Sequence, residues 1–571
     1  MTALTNIGWL GPSSTWAFSR QILRLMRAHL HEPDNHSSPL HVDAEAFKID
    51  WPSRHNSRTP LKTRIPSLDH AIYLIHTVDF HLGHAYHLFD KESFLTSVNN
   101  FYKLNLTLEP ELESRLRLWY THFLVIMALG QALLGSKTAN GYLAGSDLIS
   151  RALDLIPDTH CLYDDPLQSV ETLCCLSLYL QSVDHRNSAY LYIGQALRIA
   201  LTQGFHREHP EGTMDAQEAH RIRCVWWTLY ILDRKFSSLM GAPTSIRDED
   251  ITVELPTSSE CNDEPQSLKL HVALSKRFAK VLHTVYGVSG DFDRRFLKNI
   301  QGVLRELADL SPEIETSFKL SFDDSEPASR LSATLNLFYH QCVVLATRPI
   351  LLCLMEDLLK VRRNNYVIAN PIKALLNTSY ESATMSLRIL SWLQSQNLLE
   401  TFLPFDLEQT FSSAFVLILI SNISGQSDGT STNYIDTSMD ILSEMISRGN
   451  SVARFRKDDL QELQEVASLM QAELRLSRHP SLGDVGSMLT QNTQAPGADP
   501  ETSGTSAFEL VAAAAGFGGD MVSENLLSLN EFLEWEPDSI DIEAHQLPAD
   551  WLWADAAPEA AEFMGNIPEY G

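Results

Sequence analysis

Residues 219–256 read AHRIRCVWWTLYILDRKFSSLMGAPTSIRDEDITVELP. The first half predicts a helix. Arg223, Trp226, Trp227, Tyr230, Asp233 and Arg234 recur at spacings of three and four, which lays aromatic and charged side chains on adjoining stripes. Two neighbouring indoles bury a large area, so the charges of Asp233 and Arg234 beside them need partners. Gly241, Pro243 and Asp248 then end the helix in a fixed turn. Ile251, Val253 and Leu255 alternate into Pro256, which predicts a short extended exit.

Outward from this stretch the pattern is helix after helix. Apolar periodicity predicts helices over residues 115–134, 141–156, 169–183 and 189–203 on one side. On the other side it predicts 267–286, 292–310, 329–352, 371–396, 404–423, 435–446 and 457–476, with a polar loop at 424–434. A succession of helices on short connections is the mark of an all-α, multi-helix superhelical or bundled domain. Within it, Leu337-Phe338-Tyr339-His340-Gln341 leads to Thr347-Arg348-Pro349. Here Arg348 is expected to close a buried polar cluster, and Pro349 to start or kink the next helix. Tyr339 and His340 do not read as an acid–base pair, because adjacent helical residues point about 100° apart. His70, His76, His81, His84 and His87 would be candidate metal ligands if they converged, but neither Cys nor an HExxH pattern accompanies them.

Before residue 67 the reading is a turn-rich opening, a short helix over 15–31, and a proline-rich linker. Arg20, Arg24 and Arg27 on that helix read as a solvated face. The seven cysteines are odd in number and irregularly spaced, which suits reduced thiols rather than a disulfide framework. No secretory leader is read at the start. The unbroken apolar runs fall short of a bilayer span, so no membrane partner is expected.

The net charge is −28, and the 17 acidic residues after Arg478 account for more than half of it, since no Lys or Arg follows that position. Such a chain is a poor general phosphate binder. Residues 479–520 are rich in Gly, Ser, Thr, Ala and Pro and read as a low-complexity linker. In 521–571 acidic residues interleave with Phe532, Trp535, Trp551, Trp553 and Phe563. That composition suits an activation segment captured by an apolar groove with a basic rim; the plainer alternative is a tail that is disordered or packs back on the body.

Two blocks carry a family resemblance. Arg221-x-Arg223-x-x-Trp226-Trp227-x-x-Tyr230-x-x-Asp233-Arg234, then Gly241-x-Pro243-x-x-Ile246-x-Asp248-x-Asp250-Ile251 and Leu255-Pro256, resembles the signature of the fungal-specific transcription factor domain. That domain is the regulatory middle region of fungal binuclear zinc-cluster regulators. Tyr339-His340-Gln341 with Arg348-Pro349 is similar to a later helix of the same family. The resemblance implies a nuclear, non-enzymatic transcription regulator of a pathway or secondary-metabolite gene set. Its regulatory domain would span 67–478, and its tail would recruit a coactivator or the transcription machinery. Pairing with itself or with a DNA-binding regulator is implied as well.

The family's zinc cluster needs six cysteines, and the first cysteine here is Cys161. Zinc, and direct contact with DNA, are therefore expected only with a cluster ahead of residue 1; no other cofactor is expected. The alternatives are a scaffold or inhibitor that pairs with a zinc-cluster regulator, and a small-molecule-binding helical protein.

Overall fold

A computed structural model describes residues 10–478 except 31–42, 52–63, 104–113, 136–141, 211, 213, 257–264, 288–290, 293, 323–326, 361–367, 369 and 425–428. Beyond 478 it describes residues 533, 545 and 546. The fold is all-α. In order the helices are α1 (Thr15–His29), α2 (Leu68–Val78), α3 (Lys91–Lys103), α4 (Ser114–Leu133), α5 (Ser146–Leu155), α6 (Pro166–Ser182), α7 (Arg186–Thr202) and α8 (Ala216–Met240). They continue as α9 (Pro265–Thr284), α10 (Arg294–Ala308), α11 (Ser311–Ser317), α12 (Arg330–Lys360), α13 (Asn370–Ser395), α14 (Pro404–Ser424), α15 (Gly429–Ser447) and α16 (Ser451–Arg478). A two-residue antiparallel pair, β1 (Asp291–Phe292) with β2 (His545–Gln546), is the extended pairing among the described residues.

The starts and stops follow local chemistry. Asp165 caps α6, accepting from the Gln168 N–H at 3.1 Å, with Pro166 in the first turn, where no donor is lost. Asp215 caps α8, and Gly241 ends it in the left-handed region at φ 69°.

Two large apolar cores result. One gathers α2 to α8, including Phe123, Leu173, Tyr179, Trp226 and Tyr230. The other gathers α1 and α9 to α16, including Phe18, Phe278, Leu337, Phe411 and Phe415. The α8–α9 packing joins them. By length and apolar composition α14 would also suit a membrane span, yet it packs against α12, α13, α15 and α16, and all of Asp406–Ile420 is buried.

Three expectations change. Pro349 neither starts nor ends a helix; it lies inside α12, which runs unbroken for 31 residues. The helix packs on α9, α13 and α14 and continues past a residue that forfeits one backbone hydrogen bond. The polar stretch expected as a loop at 424–434 already belongs to α15 from Gly429. The arginines of α1 do not form a solvated face either. Arg20 is buried and pairs with Asp459 at 3.2 Å, and Arg27 pairs with Glu462. Arg24 is exposed. The six described cysteines form no disulfide among themselves, and five of them are buried; Cys261 lies outside the described residues.

Candidate functional site

The last turns of α8 and the loop after it form one polar cluster inside an apolar shell. Arg234 is 1% exposed. Its Nη1 donates to Asp233 Oδ2 at 3.0 Å; its Nη2 donates to the Ile246 carbonyl at 2.7 Å and to Asp248 Oδ1 at 3.1 Å. The Tyr230 hydroxyl donates to the same Asp248 oxygen at 2.7 Å, and the guanidinium lies 3.9 Å from the Tyr230 ring centroid. Ser245 donates to the other Asp233 oxygen at 3.0 Å. A buried ion pair is favourable only when its spare lone pairs and protons are used, and here most are. Burial still pushes the Asp233 carboxyl above its ordinary pKa, with Arg234 and Ser245 pulling the other way.

The cluster's work is to fix the loop. Arg234 and Tyr230 hold its Ile246–Asp248 segment against α8, and Trp227 Nε1 donates to the Glu254 carbonyl at 3.0 Å to hold the extended exit. Arg223 pairs with Glu208 at 2.5 Å, while Glu208 accepts from the Glu254 N–H at 2.8 Å. Trp226 is fully buried beside the His206 ring, 5.7 Å away. Further up the helix, Arg221 grips Glu171 with two hydrogen bonds of 3.1 and 2.6 Å. Burial alone would raise the Glu171 carboxyl, but His87 and Arg221 hold it below the usual range. Pro243 and Asp250 lie on the outer side of the loop, where Asp250 accepts from Arg247 at 3.2 Å, and Pro256 is buried.

The second block does not join this cluster. Arg348, also 1% exposed, donates to Tyr286 Oη at 3.3 Å, Thr15 Oγ1 at 2.9 Å and the Ser13 carbonyl at 2.7 Å, and lies 4.6 Å from the Phe18 ring. The expected polar cluster exists, and its partners come from the N-terminal segment. Tyr339 and His340 pack ring to ring at 5.3 Å; burial lowers His340 to about 4, and burial raises the Tyr339 phenol, so neither is set to exchange protons near neutral pH.

The histidines of 70–87 do not converge. His81 Nδ1 is 2.8 Å from Glu400, His87 Nε2 is 3.6 Å from Glu171, and His84 is half-buried with its pKa lowered to about 4, chiefly by desolvation. Among the described residues no three His, Cys, Asp or Glu side chains are grouped to hold a metal.

Sequence reasoning missed the segment around Gly11–Phe18. Leu10, Trp16 and Ala17 form a small core of their own with Met240 and Ala242. The Gly11 N–H donates to the Met240 carbonyl at 3.0 Å, and Phe18 meets Phe415 edge-on at 5.9 Å. The hint was present in the apolar residues beside Arg20.

Beside the Arg348 cluster lies a cavity of about 20 Å³, lined among others by Thr15, Lys235, Gln341, Arg348 and Glu408, with room for roughly one water. Trp226, Trp227 and Asp233 do not line it. Lys235 donates to the Tyr86 hydroxyl at 2.9 Å, and burial lowers its pKa to about 7. Phe532, Trp535, Trp551, Trp553 and Phe563 lie outside the described residues.

Residues 73–310 match the fungal specific transcription factor domain. An uncharacterized transcriptional regulatory protein of Schizosaccharomyces pombe is 26% identical over 50% of this chain and 36% of its own length. The thiamine repressible genes regulatory protein thi1 of the same yeast is 23% identical over 48% of this chain and 35% of its own length. The transcriptional activator protein acu-15 of Neurospora crassa is 25% identical over 31% and 22%. The matches span about a third of those relatives' length or less. The motif helix, its buried ion pair and its pinned loop all fall inside the residues that match the fungal specific transcription factor domain.

Proposed function

We propose that the protein is a nuclear transcription regulator in which residues 67–478 are a regulatory and association body and residues 521–571 recruit the transcription machinery or a coactivator. The observation that carries this is the joining of a fungal specific transcription factor domain to a segment with twelve acidic residues from Glu524 to Glu569, no Lys or Arg, and interleaved aromatics. Acidic residues keep such side chains in water until an apolar groove with a basic rim takes them up as a short helix. DNA recognition, in this reading, belongs to a partner regulator that pairs with the helical body, or to a zinc module joined to it. The names of the relatives, regulators and activators of transcription, support the class of activity. The regulated genes are taken to form one pathway or metabolite cluster.

Fusing residues 521–571 to an unrelated DNA-binding domain tests the reading. A reporter should rise, and should fall back when Phe532, Trp535, Trp551 and Trp553 are replaced by Ala. A silent reporter from a well-expressed fusion removes the proposal.

A further inference from the structure

Among the described residues, the C-terminal segment touches the body at two places, both on or beside α10. The Leu533 carbonyl accepts from Arg305 Nη2 at 2.9 Å and from Gln301 Nε2 at 3.3 Å, and its side chain packs on the core that contains Phe296, Ile300 and Leu304. Twelve residues later, His545–Gln546 pairs with Asp291–Phe292, just before α10 begins. The segment thus starts over the second half of α10 and ends at its entrance. The two contacts lie about 16 Å apart along the helix, well inside what twelve residues can reach.

Charge runs along the same path. Arg295, Lys298 and Arg305 are exposed on α10, and their spacing of three and seven puts them on one face. Between the two contacts the sequence carries Glu534, Glu536, Asp538, Asp541 and Glu543, with no basic residue. Those five acidic residues link two contacts made to a helix whose exposed stripe is basic.

We infer that α10 and β1 form an intramolecular dock for residues 533–546, and that this docking excludes capture of the same segment by an outside partner. The occupant is this chain's own tail: the contacts at Leu533 and at 545–546 name it, and the opposed charges fit it. The exclusion, though not the docking, rests on the activation reading above. A dock held by one partly buried leucine, a two-residue strand pair and surface charges is weak enough to open. Salt or a competing basic groove would shift it.

Hydrogen exchange on the full chain tests the docking. Amides of residues 533–546 should exchange slowly in the wild type and about tenfold faster in Arg295→Glu/Lys298→Glu/Arg305→Glu. Those of α8 should be unchanged, which shows the variant is folded. Leu533→Asp should give the same release without altering the body. Exchange in the wild type at the rate of an unstructured peptide, or equal protection in wild type and both variants, overturns the dock.

The exclusion is read separately with full chains fused to an unrelated DNA-binding domain. The triple variant should drive a reporter several-fold above the wild type. Equal reporters, with isolated 521–571 active, overturn the exclusion. A silent isolated 521–571 with protection intact overturns the activation reading and leaves the dock standing.

Discussion

Gly241 has no room for a β-carbon because Gly11 is there: a Cβ built on Gly241 would lie 2.2 Å from the Gly11 carbonyl oxygen, and Gly241 sits at φ 69°. Both constraints demand glycine, one steric and one conformational. The end of the motif helix and the start of the chain are therefore fitted to each other. Gly241→Ala should cost about 2 kcal/mol or more and release the segment before α1. Thermal melting with limited proteolysis near residue 11 checks this. A variant that melts and resists protease like the wild type would show that the two backbones are not in contact.

Gly302 makes the opposite case. It lies within α10, and a Cβ there meets nothing within 4 Å. Gly302→Ala should stabilise the protein by up to about 1 kcal/mol, by reducing the freedom of the unfolded chain and raising helix propensity. A lower midpoint in chemical denaturation would show that the space is occupied.

Asp233 neutralises a guanidinium that cannot reach bulk water, since both side chains are 1% exposed. Asp233→Ala removes the carboxylate while Arg234 keeps the Ile246 carbonyl and the half-exposed Asp248. The expected loss is about 3 kcal/mol, at the lower end for a broken buried pair because part of the compensation survives. Asp248→Ala should cost less in stability and free the loop, seen as faster exchange at residues 245–250. An unchanged melting curve for Asp233→Ala would rule out the assigned role.

Burial lowers His84, His122 and His340 to about 4, the first with help from the Arg330 charge. In the unfolded chain each returns to about 6.5. The stability gained by keeping them neutral is complete above that value and is lost as pH falls from about 6.5 toward 4. Asp184, raised to about 6 by burial, acts in the reverse sense between about 3.8 and 6. The three histidines outnumber it, so stability should fall on acidification near pH 5.5. His340→Gln should remove about one proton of uptake, or roughly 1.4 kcal/mol per pH unit of slope. Identical slopes in wild type and variant would mean that His340 is protonated in the folded state.

Much of the architecture was legible because helix periodicity, caps and breakers act within a few residues of where they are written. The motif at 221–256 also announced its chemistry: charges beside two indoles must be paired, and Asp233, Arg234, Tyr230 and Asp248 are all found in one cluster. What a local pattern cannot encode is who stands opposite. Arg20 and Asp459 are 439 positions apart, Arg348 and Ser13 are 335, and Arg305 and Leu533 are 228. An arginine on a helix reads alike whether it meets water or a buried carboxylate, so α1 passed for a solvated helix and the turn-rich opening before it gave no sign of its buried partners. Likewise Pro349 says that a hydrogen bond is missing, but only the neighbours packed on α12 decide that the helix runs on.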